Sequence, residues 1–410
     1  NVDIYINGVL ELENISYQQA SGNLSVPPGE YLVEVNETGT DDTVLSDTFT
    51  LERDDLVTLI ASDEVANIDY LAIPEDGSRV TSGKARVNVV HASPNAGTVD
   101  IYVSAYGDPL PGTPTIDNVA FEQSMTLGEV DVGTYQVRIT GSTDTEVVFD
   151  SGPLELTNRA NLTAVAVDSD EDGDWAPVEL VLLTGSADNP VVQDDTTFVR
   201  VVHGVPGQTV DVYVNDALTL EDFEYKENTG GYVDLNSMPQ LDVTAPNDAI
   251  GNAVLSAQPT LDRGAYYTVI ANGTIDGNDN IPLSFFVLQD DLTPPAASNA
   301  LLRIAHAAPF AEGEGADVDV YATDSGNSAA ADIGALMTVT LATDLGYQED
   351  TGYLSVAADS YSALVTAADS TTVAIGADVT LNDGQPYTVI ALGGANSEPL
   401  ELLVLLDEDR

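Results

Sequence analysis

The stretch VVHASPNAGTVDIYV, residues 89–103, decides the fold because both of its halves recur along the chain. Its second half, Val-Asp followed by Ile or Val and then Tyr, begins at four positions: Val2, Val99, Val210 and Val318. Its first half, an aliphatic run that ends in His, precedes the last three copies and contains the three histidines of the chain: His91, His203 and His306. This self-similarity at a spacing of about 100 residues indicates four tandem repeats.

Further anchors follow in the same order in every repeat. An aromatic residue precedes two polar residues at four positions: Tyr17, Phe121, Tyr225 and Tyr347. A Gly-rich segment, an apolar run such as YTVIANG (267–273) and a closing run such as LELLVL (400–405) come next. Most of these segments are short, rich in Val, Ile, Thr and Tyr, and bounded by Gly, Pro, Asn or Asp, which predicts β-strands. About seven or eight strands per ~100 residues predict an all-β chain, a tandem array of four immunoglobulin-like β-sandwich domains.

Polar, Pro-containing stretches separate the repeats and predict the domain boundaries. The four domains are expected at 1–81, 82–193, 194–297 and 298–410. The first domain begins directly with its Val-Asp-Ile-Tyr strand, so its first strand is missing from the sequence. Two explanations stay open: the strand lies upstream in the same protein, or a neighbouring subunit supplies it by pairing with the exposed edge.

The charge is extreme, with 11 Lys and Arg against 68 Asp and Glu and a net charge of −57. Nucleic acid is therefore excluded as a partner, since phosphate binding needs a basic surface. Docking on an anionic membrane is disfavoured for the same reason. The acids are spread along the chain instead of forming a tail, which favours adaptation to high salt, where the Debye length is only ~3 Å. We expect an extracellular or cell-surface protein of a halophilic prokaryote such as an archaeon.

Other sequence features exclude several kinds of site. Without cysteine there are no disulfides or thiolate metal sites. The sequence also contains no apolar run of about 18 residues, so we expect no membrane insertion within this chain. The histidines could bind metal, but each repeat has at most one, so we expect each to end a strand and hydrogen-bond the adjacent turn. Neither a nucleophile elbow nor a phosphate-binding loop occurs. The chain is therefore predicted to have no catalytic and no cofactor-binding residues and not to be an enzyme.

One acidic segment matches the pattern of a calcium-binding loop. The predicted metal ligands are Asp168, Asp170, Asp172, Asp174 and Glu179. The flanking segments are predicted strands and not the helices of an EF-hand, so a solvated acidic hairpin is the alternative to bound calcium.

Five Asn-x-Ser/Thr sequences predict N-glycosylation and, weakly, a surface location. The candidate asparagines are Asn14, Asn23, Asn36, Asn161 and Asn272.

The paired elements H-A-x-P and V-D-[IV]-Y resemble a family of secreted bacterial and archaeal proteins described as a domain of unknown function. Members of that family carry VRVVHASPDAP followed by VDVYVNG, and the resemblance extends over all four repeats. It implies a β-sandwich module of the cell surface and no particular activity.

Together these features predict a non-catalytic extracellular structural protein. It would be a subunit of a surface filament or layer that self-associates head to tail, assembled by strand complementation at the first repeat. The alternative is an adhesin-type array that binds glycans or a surface receptor.

Overall fold

The computed structural model describes residues 1–63, 68–143, 145–169, 177–275, 281–309 and 317–408. The described chain is built from β-strands, with one short 3-10 turn at Ile250–Asn252. Within these residues no helix is long and apolar enough to cross a membrane.

The strands follow the repeats. The first repeat contributes β1 (Val2–Ile6), β2 (Val9–Ile15), β3 (Gly29–Glu37), β4 (Thr43–Leu51), β5 (Leu56–Ser62) and β6 (Asp69–Glu75). The second contributes β7 (Lys84–His91), β8 (Val99–Ala105), β9 (Ile116–Val119), β10 (Ser124–Asp131), β11 (Gly133–Gly141), β12 (Val147–Asp150), β13 (Leu154–Leu156), β14 (Asn161–Asp168), β15 (Val178–Leu183) and β16 (Val191–Val192). The third contributes β17 (Thr196–His203), β18 (Thr209–Val214), β19 (Ala217–Glu224), β20 (Val233–Asn236), β21 (Leu241–Thr244), β22 (Leu255–Ala257), β23 (Tyr266–Asn272) and β24 (Ser284–Asp290). The fourth contributes β25 (Asn299–His306), β26 (Val318–Asp324), β27 (Val339–Leu345), β28 (Leu354–Ala357), β29 (Ser360–Ala367), β30 (Val373–Thr380), β31 (Pro386–Leu392) and β32 (Glu401–Leu406).

Repeats two to four each form two facing sheets. In one sheet the strand that ends in His is internal: the strand orders are β10-β7-β14-β15-β16, β20-β17-β23-β24 and β28-β25-β31-β32. The other sheet contains the Val-Asp-x-Tyr strand, with the orders β12-β11-β8-β9, β19-β18-β21-β22 and β27-β26-β29-β30. Apolar side chains from both sheets form one core per repeat. The predicted all-β array of sandwiches is confirmed.

The Asp of the Val-Asp-x-Tyr motif fixes a bulge between this strand and the next. Asp3 accepts a hydrogen bond from the backbone N–H of Asn14 at 2.7 Å, and Asp211 accepts the equivalent bond from Asp222 at 2.8 Å. Asn14 and Asp222 have φ of 59° and 51°, in the left-handed region. A carboxylate that binds the N–H of a left-handed residue stabilises a backbone geometry that is otherwise costly. The motif therefore encodes strand register.

The chain divides into two compact units, residues 1–196 and 197–410, each containing two repeats. In the first unit a cluster joins Ile73 of the first repeat to Val90 and Val165 of the second. In the second unit a similar cluster joins Ile270 to Ile390. Within each unit the two repeats thus share an apolar cluster, which in repeats two to four adds to a core within the repeat itself. The bounds proposed for the individual domains stay predictions.

Candidate assembly site

Each described His-bearing strand ends in the same turn. The backbone N–H groups of His91, His203 and His306 donate at 2.9–3.0 Å to Gln123, Glu227 and Glu349, the last residues of the aromatic-polar-polar anchors. The carbonyls of the same histidines accept hydrogen bonds of 2.8 Å from the backbone N–H of the middle residue of each anchor: Glu122, Lys226 and Gln348. Two reciprocal backbone bonds therefore attach every such strand to the anchor of its own repeat.

The histidine rings themselves are buried and hydrogen-bonded. His91 Nε2 donates to the Gly97 carbonyl at 2.6 Å and His203 Nε2 donates to that of Gln208 at 3.1 Å. Each Nδ1 lies 3.4 Å from a backbone N–H two residues later. Burial lowers the pKa of His203 to about 4, so the ring is neutral at physiological pH. For His91 and His203 the expected bond to the adjacent turn is confirmed.

The first repeat has an open position in its second sheet. There, β5 pairs with β6 in a two-stranded sheet, whereas the equivalent strands β14, β23 and β31 also pair in parallel with a His-bearing strand. Among the described residues no strand occupies the other edge of β5. The Gly-rich segment 21–26 is not a strand here, although its counterparts β10, β20 and β28 are. A strand position between this segment and β5 is therefore empty within the described chain.

The open position leaves apolar side chains exposed. Leu59 on β5 is 42% exposed, while Val269 and Val389 at the same register are 0% and 3% exposed. In the Gly-rich segment, Leu24 and Val26 are 50% and 39% exposed. Exposed aliphatic residues beside an unpaired strand edge are typical of a surface that binds another strand.

Hydrogen bonds join the Gly-rich segment and the turn before it to the second repeat. The Asn23 N–H donates to the Gly185 carbonyl at 3.1 Å, and the Tyr17 hydroxyl donates to that of Asp168 at 2.8 Å. Gln18 Nε2 donates to buried Glu179 at 2.5 Å. These three bonds attach the segment and the turn before it to the second repeat.

A reciprocal buried network joins the third and fourth repeats. Arg200 donates to Thr268 at 2.7 Å and forms an ion pair with Asp407 of the other repeat. Arg303 donates to Thr388 at 2.7 Å and forms an ion pair with Asp290. The Tyr hydroxyls at the same positions of the two repeats donate to these carboxylates at 2.7 Å each: Tyr232 to Asp290 and Tyr353 to Asp407. Burial raises the pKa of both tyrosines. The network is structural, and its Arg, Thr, Tyr and Asp members each recur at equivalent positions of the two repeats.

Three of the five predicted calcium ligands, Asp170, Asp172 and Asp174, lie outside the residues that the structure describes. Asp168 accepts hydrogen bonds from Ser93 and, at 2.7 Å, from Asn95. Glu179 is 1% exposed and accepts from Gln18. In the described part of the chain no cluster of three metal-ligating side chains occurs, and calcium binding at this hairpin stays a prediction.

The sequons differ in exposure. Asn14 and Asn23 are exposed, and Asn36 and Asn161 are half-buried. Asn272 is fully buried and its Oδ1 accepts from Gln348 at 2.8 Å. This burial disfavours a glycan on the Asn272 amide as the side chain is packed. Modification at all five asparagines stays a prediction.

The interior of the fourth repeat contains a cavity of about 330 Å³ between its two sheets. Its lining is mostly aliphatic and includes Ile304, Val320 and Leu402. Asp324 is the sole carboxylate among the described lining residues, so these residues provide no pair for general acid–base chemistry.

Sheet order and the repeated His-bearing strand define a class of protein, the tandem β-sandwich repeat proteins. The chain belongs to the family described as "Domain of unknown function (DUF4397)", whose model matches residues 1–102, 197–321 and 314–410. No curated protein matches the sequence significantly.

Solved structures give weak similarities. The TIE protein of Bacillus anthracis is 10% identical, with 96% of this chain and 75% of that chain covered and a TM-score of 0.16. A streptococcal ancillary pilin is 13% identical over 73% and 95% of the chains, with a TM-score of 0.14. The major pilin subunit of Bacillus cereus is 7% identical over 80% and 100%, with a TM-score of 0.13. Similarities at this level do not identify a function.

Proposed function

We propose that the protein is a non-catalytic structural subunit of an extracellular filament or surface layer of a halophilic prokaryote. A strand of one subunit fills the open position beside β5 of the next and joins subunits head to tail. The observation that carries the proposal is the exposed position between the Gly-rich segment 21–26 and β5, because three counterparts in the same chain are filled.

Strand addition suits this position physically. The inserted strand would form main-chain hydrogen bonds on two edges and cover Leu24, Val26 and Leu59. The contact joins unlike surfaces of the two subunits, so it does not close on itself and propagates as a filament. The high acidic charge keeps such an assembly soluble in concentrated salt.

Electron microscopy of the protein isolated from its native cells in molar NaCl tests the proposal. Wild-type protein should form linear assemblies, and Leu59→Lys should release single subunits because it places a charge in the interface. Leu32→Lys is the matched control, since Leu32 lies on β3, outside the open position, and is 37% exposed. Assemblies of unchanged length in the Leu59→Lys variant would contradict strand complementation. Dispersed wild-type subunits that bind a glycan array would favour the adhesin alternative.

A further inference from the structure

The fourth repeat has room for a molecule between its two sheets. Its cavity has a volume of about 330 Å³, whereas an engineered apolar cavity of roughly 150 Å³ already binds a small hydrocarbon. An unfilled cavity in a core lowers stability in proportion to its volume. A bound apolar molecule would therefore replace contacts that the two sheets do not make with each other.

Two small residues account for the space. Ala322 of β26 and Ala363 of β29 are cross-strand partners, and both line the cavity. The equivalent cross-strand pairs carry larger side chains: Val103 and Val137 in the second repeat, and Val214 and Leu241 in the third. Where Ala stands in place of Val and Leu, the core lacks several methyl groups, and the paired strands cannot move together to close the gap.

The cavity is elongated and opens at one end of the sandwich. Its lining follows β26 from Val320 to Asp324, a length of about 13 Å along a strand. Val320 and Ile304 are buried, whereas Asp324 is exposed and Met337 is 92% exposed. Because facing sheets pack only about 10 Å apart, a space of this shape fits a single hydrocarbon chain that enters beside Met337.

The polar side chains of the described lining are hydrogen-bonded or lie at the mouth. The Thr323 hydroxyl donates to the Met337 carbonyl, and the Tyr361 hydroxyl donates to the Ala357 carbonyl, both at 2.9 Å. Asp324 is the third polar residue of this lining and is exposed. The interior thus favours a hydrocarbon over water, and the carboxylate at the mouth disfavours a ligand with an anionic head group.

A long connection holds Met337 at the mouth. Residues 325–338 connect β26 to β27, whereas residues 215–216 connect the equivalent strands β18 and β19. The connection is attached to β29, since the Asn327 N–H donates to the Ser362 hydroxyl at 2.9 Å. The backbone of Met337 is therefore fixed, while its flexible apolar side chain is free to pack on a molecule in the cavity.

We propose that the cavity of the fourth repeat binds the hydrocarbon tail of an amphiphile with an uncharged head group. The tail lies between the two sheets, the head group lies beside Asp324, and the side chain of Met337 covers the tail. The site is contained in one repeat and does not depend on strand complementation, so it adds a binding function to the proposed structural one.

An uncharged fluorescent probe tests the site in the 410-residue chain in molar NaCl. The emission of phenylnaphthylamine rises in apolar surroundings, and a titration measures its affinity. The probe should bind saturably, and decanol should displace it. Decanoate has a charged head group and should displace the probe several times less effectively, because it meets the carboxylate of Asp324. Probe binding that decanol does not displace would overturn the proposal.

Cavity-filling variants locate the binding. Ala363→Leu introduces the residue of the third repeat and should weaken probe binding roughly tenfold, with an equal or higher melting temperature, because the side chain fills the space. Ala322→Val makes a smaller change of the same kind and should weaken binding less. Ala331→Leu is the matched control, since Ala331 is exposed and outside the lining. Unchanged affinity in both folded cavity-filling variants would overturn the proposal.

Flotation with vesicles of neutral phosphatidylcholine distinguishes two sources of the tail. Flotation of the wild-type chain that Ala363→Leu abolishes would assign the tail to a membrane lipid. Binding of decanol without flotation would assign it to a free amphiphile.

Discussion

The recurring residues of the repeats act on backbone geometry. The motif Asp binds the N–H of a left-handed residue in the bulge, and the histidine links a strand end to its turn. Arg200 and Arg303 have another duty, because each reaches a carboxylate of the partner repeat within the second unit. In the second repeat, Asn88 occupies the equivalent position and donates to Thr163 at 3.4 Å. An Arg at this position that forms an ion pair with the neighbouring repeat is therefore not common to all repeats.

Removing one carboxylate of the network should strongly destabilise the second unit. Asp290→Ala leaves the buried Arg303, Tyr232 and Thr268 without their acceptor, and breaking a buried pair in this way costs ~3–5 kcal/mol. The matched control is Glu401→Ala, which removes a half-exposed ion pair with Lys226 of 2.8 Å and should cost about 1 kcal/mol or less. Urea unfolding of the full chain in molar NaCl, followed by circular dichroism, measures both. Equal losses in the two variants would show that the network contributes no more than a surface pair.

At the scale of elements, the parallel pairing of an early and a late strand organises each complete sandwich. In repeats two to four the His-bearing strand lies between the Gly-rich strand and the late apolar strand and pairs with both. In the first repeat the Gly-rich segment is irregular and β5 keeps one partner. The sequence of β5 is LVTLIAS and that of β23 is YYTVIAN, so a similar apolar pattern forms a strand with one partner in the first repeat and with two in the third.

Hydrogen exchange should reveal the open edge directly. Amides on the free edge of β5 should exchange roughly tenfold or more faster than the corresponding amides of β23, which has partners on both sides, because unpaired edge groups open locally at little cost. Mass spectrometry of the dispersed chain in molar NaCl compares the two strands. In assembled material the β5 amides should become protected. Slow exchange of β5 in dispersed chains would contradict an open position.

At the scale of the whole molecule, two kinds of core coexist. Each complete sandwich has its own core, and each compact unit has a second cluster shared by its two repeats. The net charge of −57 acts against this compactness, since carboxylates repel one another wherever salt does not screen them.

Salt should therefore control stability. Dialysis from molar NaCl to 10 mM lengthens the Debye distance from ~3 Å to ~30 Å and exposes the self-repulsion of the acidic surface. We expect a lower melting temperature and partial loss of the β-sheet circular dichroism signal, both restored when salt is added back. A melting temperature that is the same at both salt concentrations would rule out adaptation to high salt.

The sequence by itself determined the repeats, their strands and the structural duty of the histidines. These follow from local patterns: alternation, turn residues and recurring motifs at fixed order. Only the tertiary structure decided that repeats pair within compact units and that Arg303 binds a carboxylate of the neighbouring repeat. The physical reason is that these features depend on contacts between residues far apart in the chain, such as Gln18 and Glu179, and no local pattern encodes such distances.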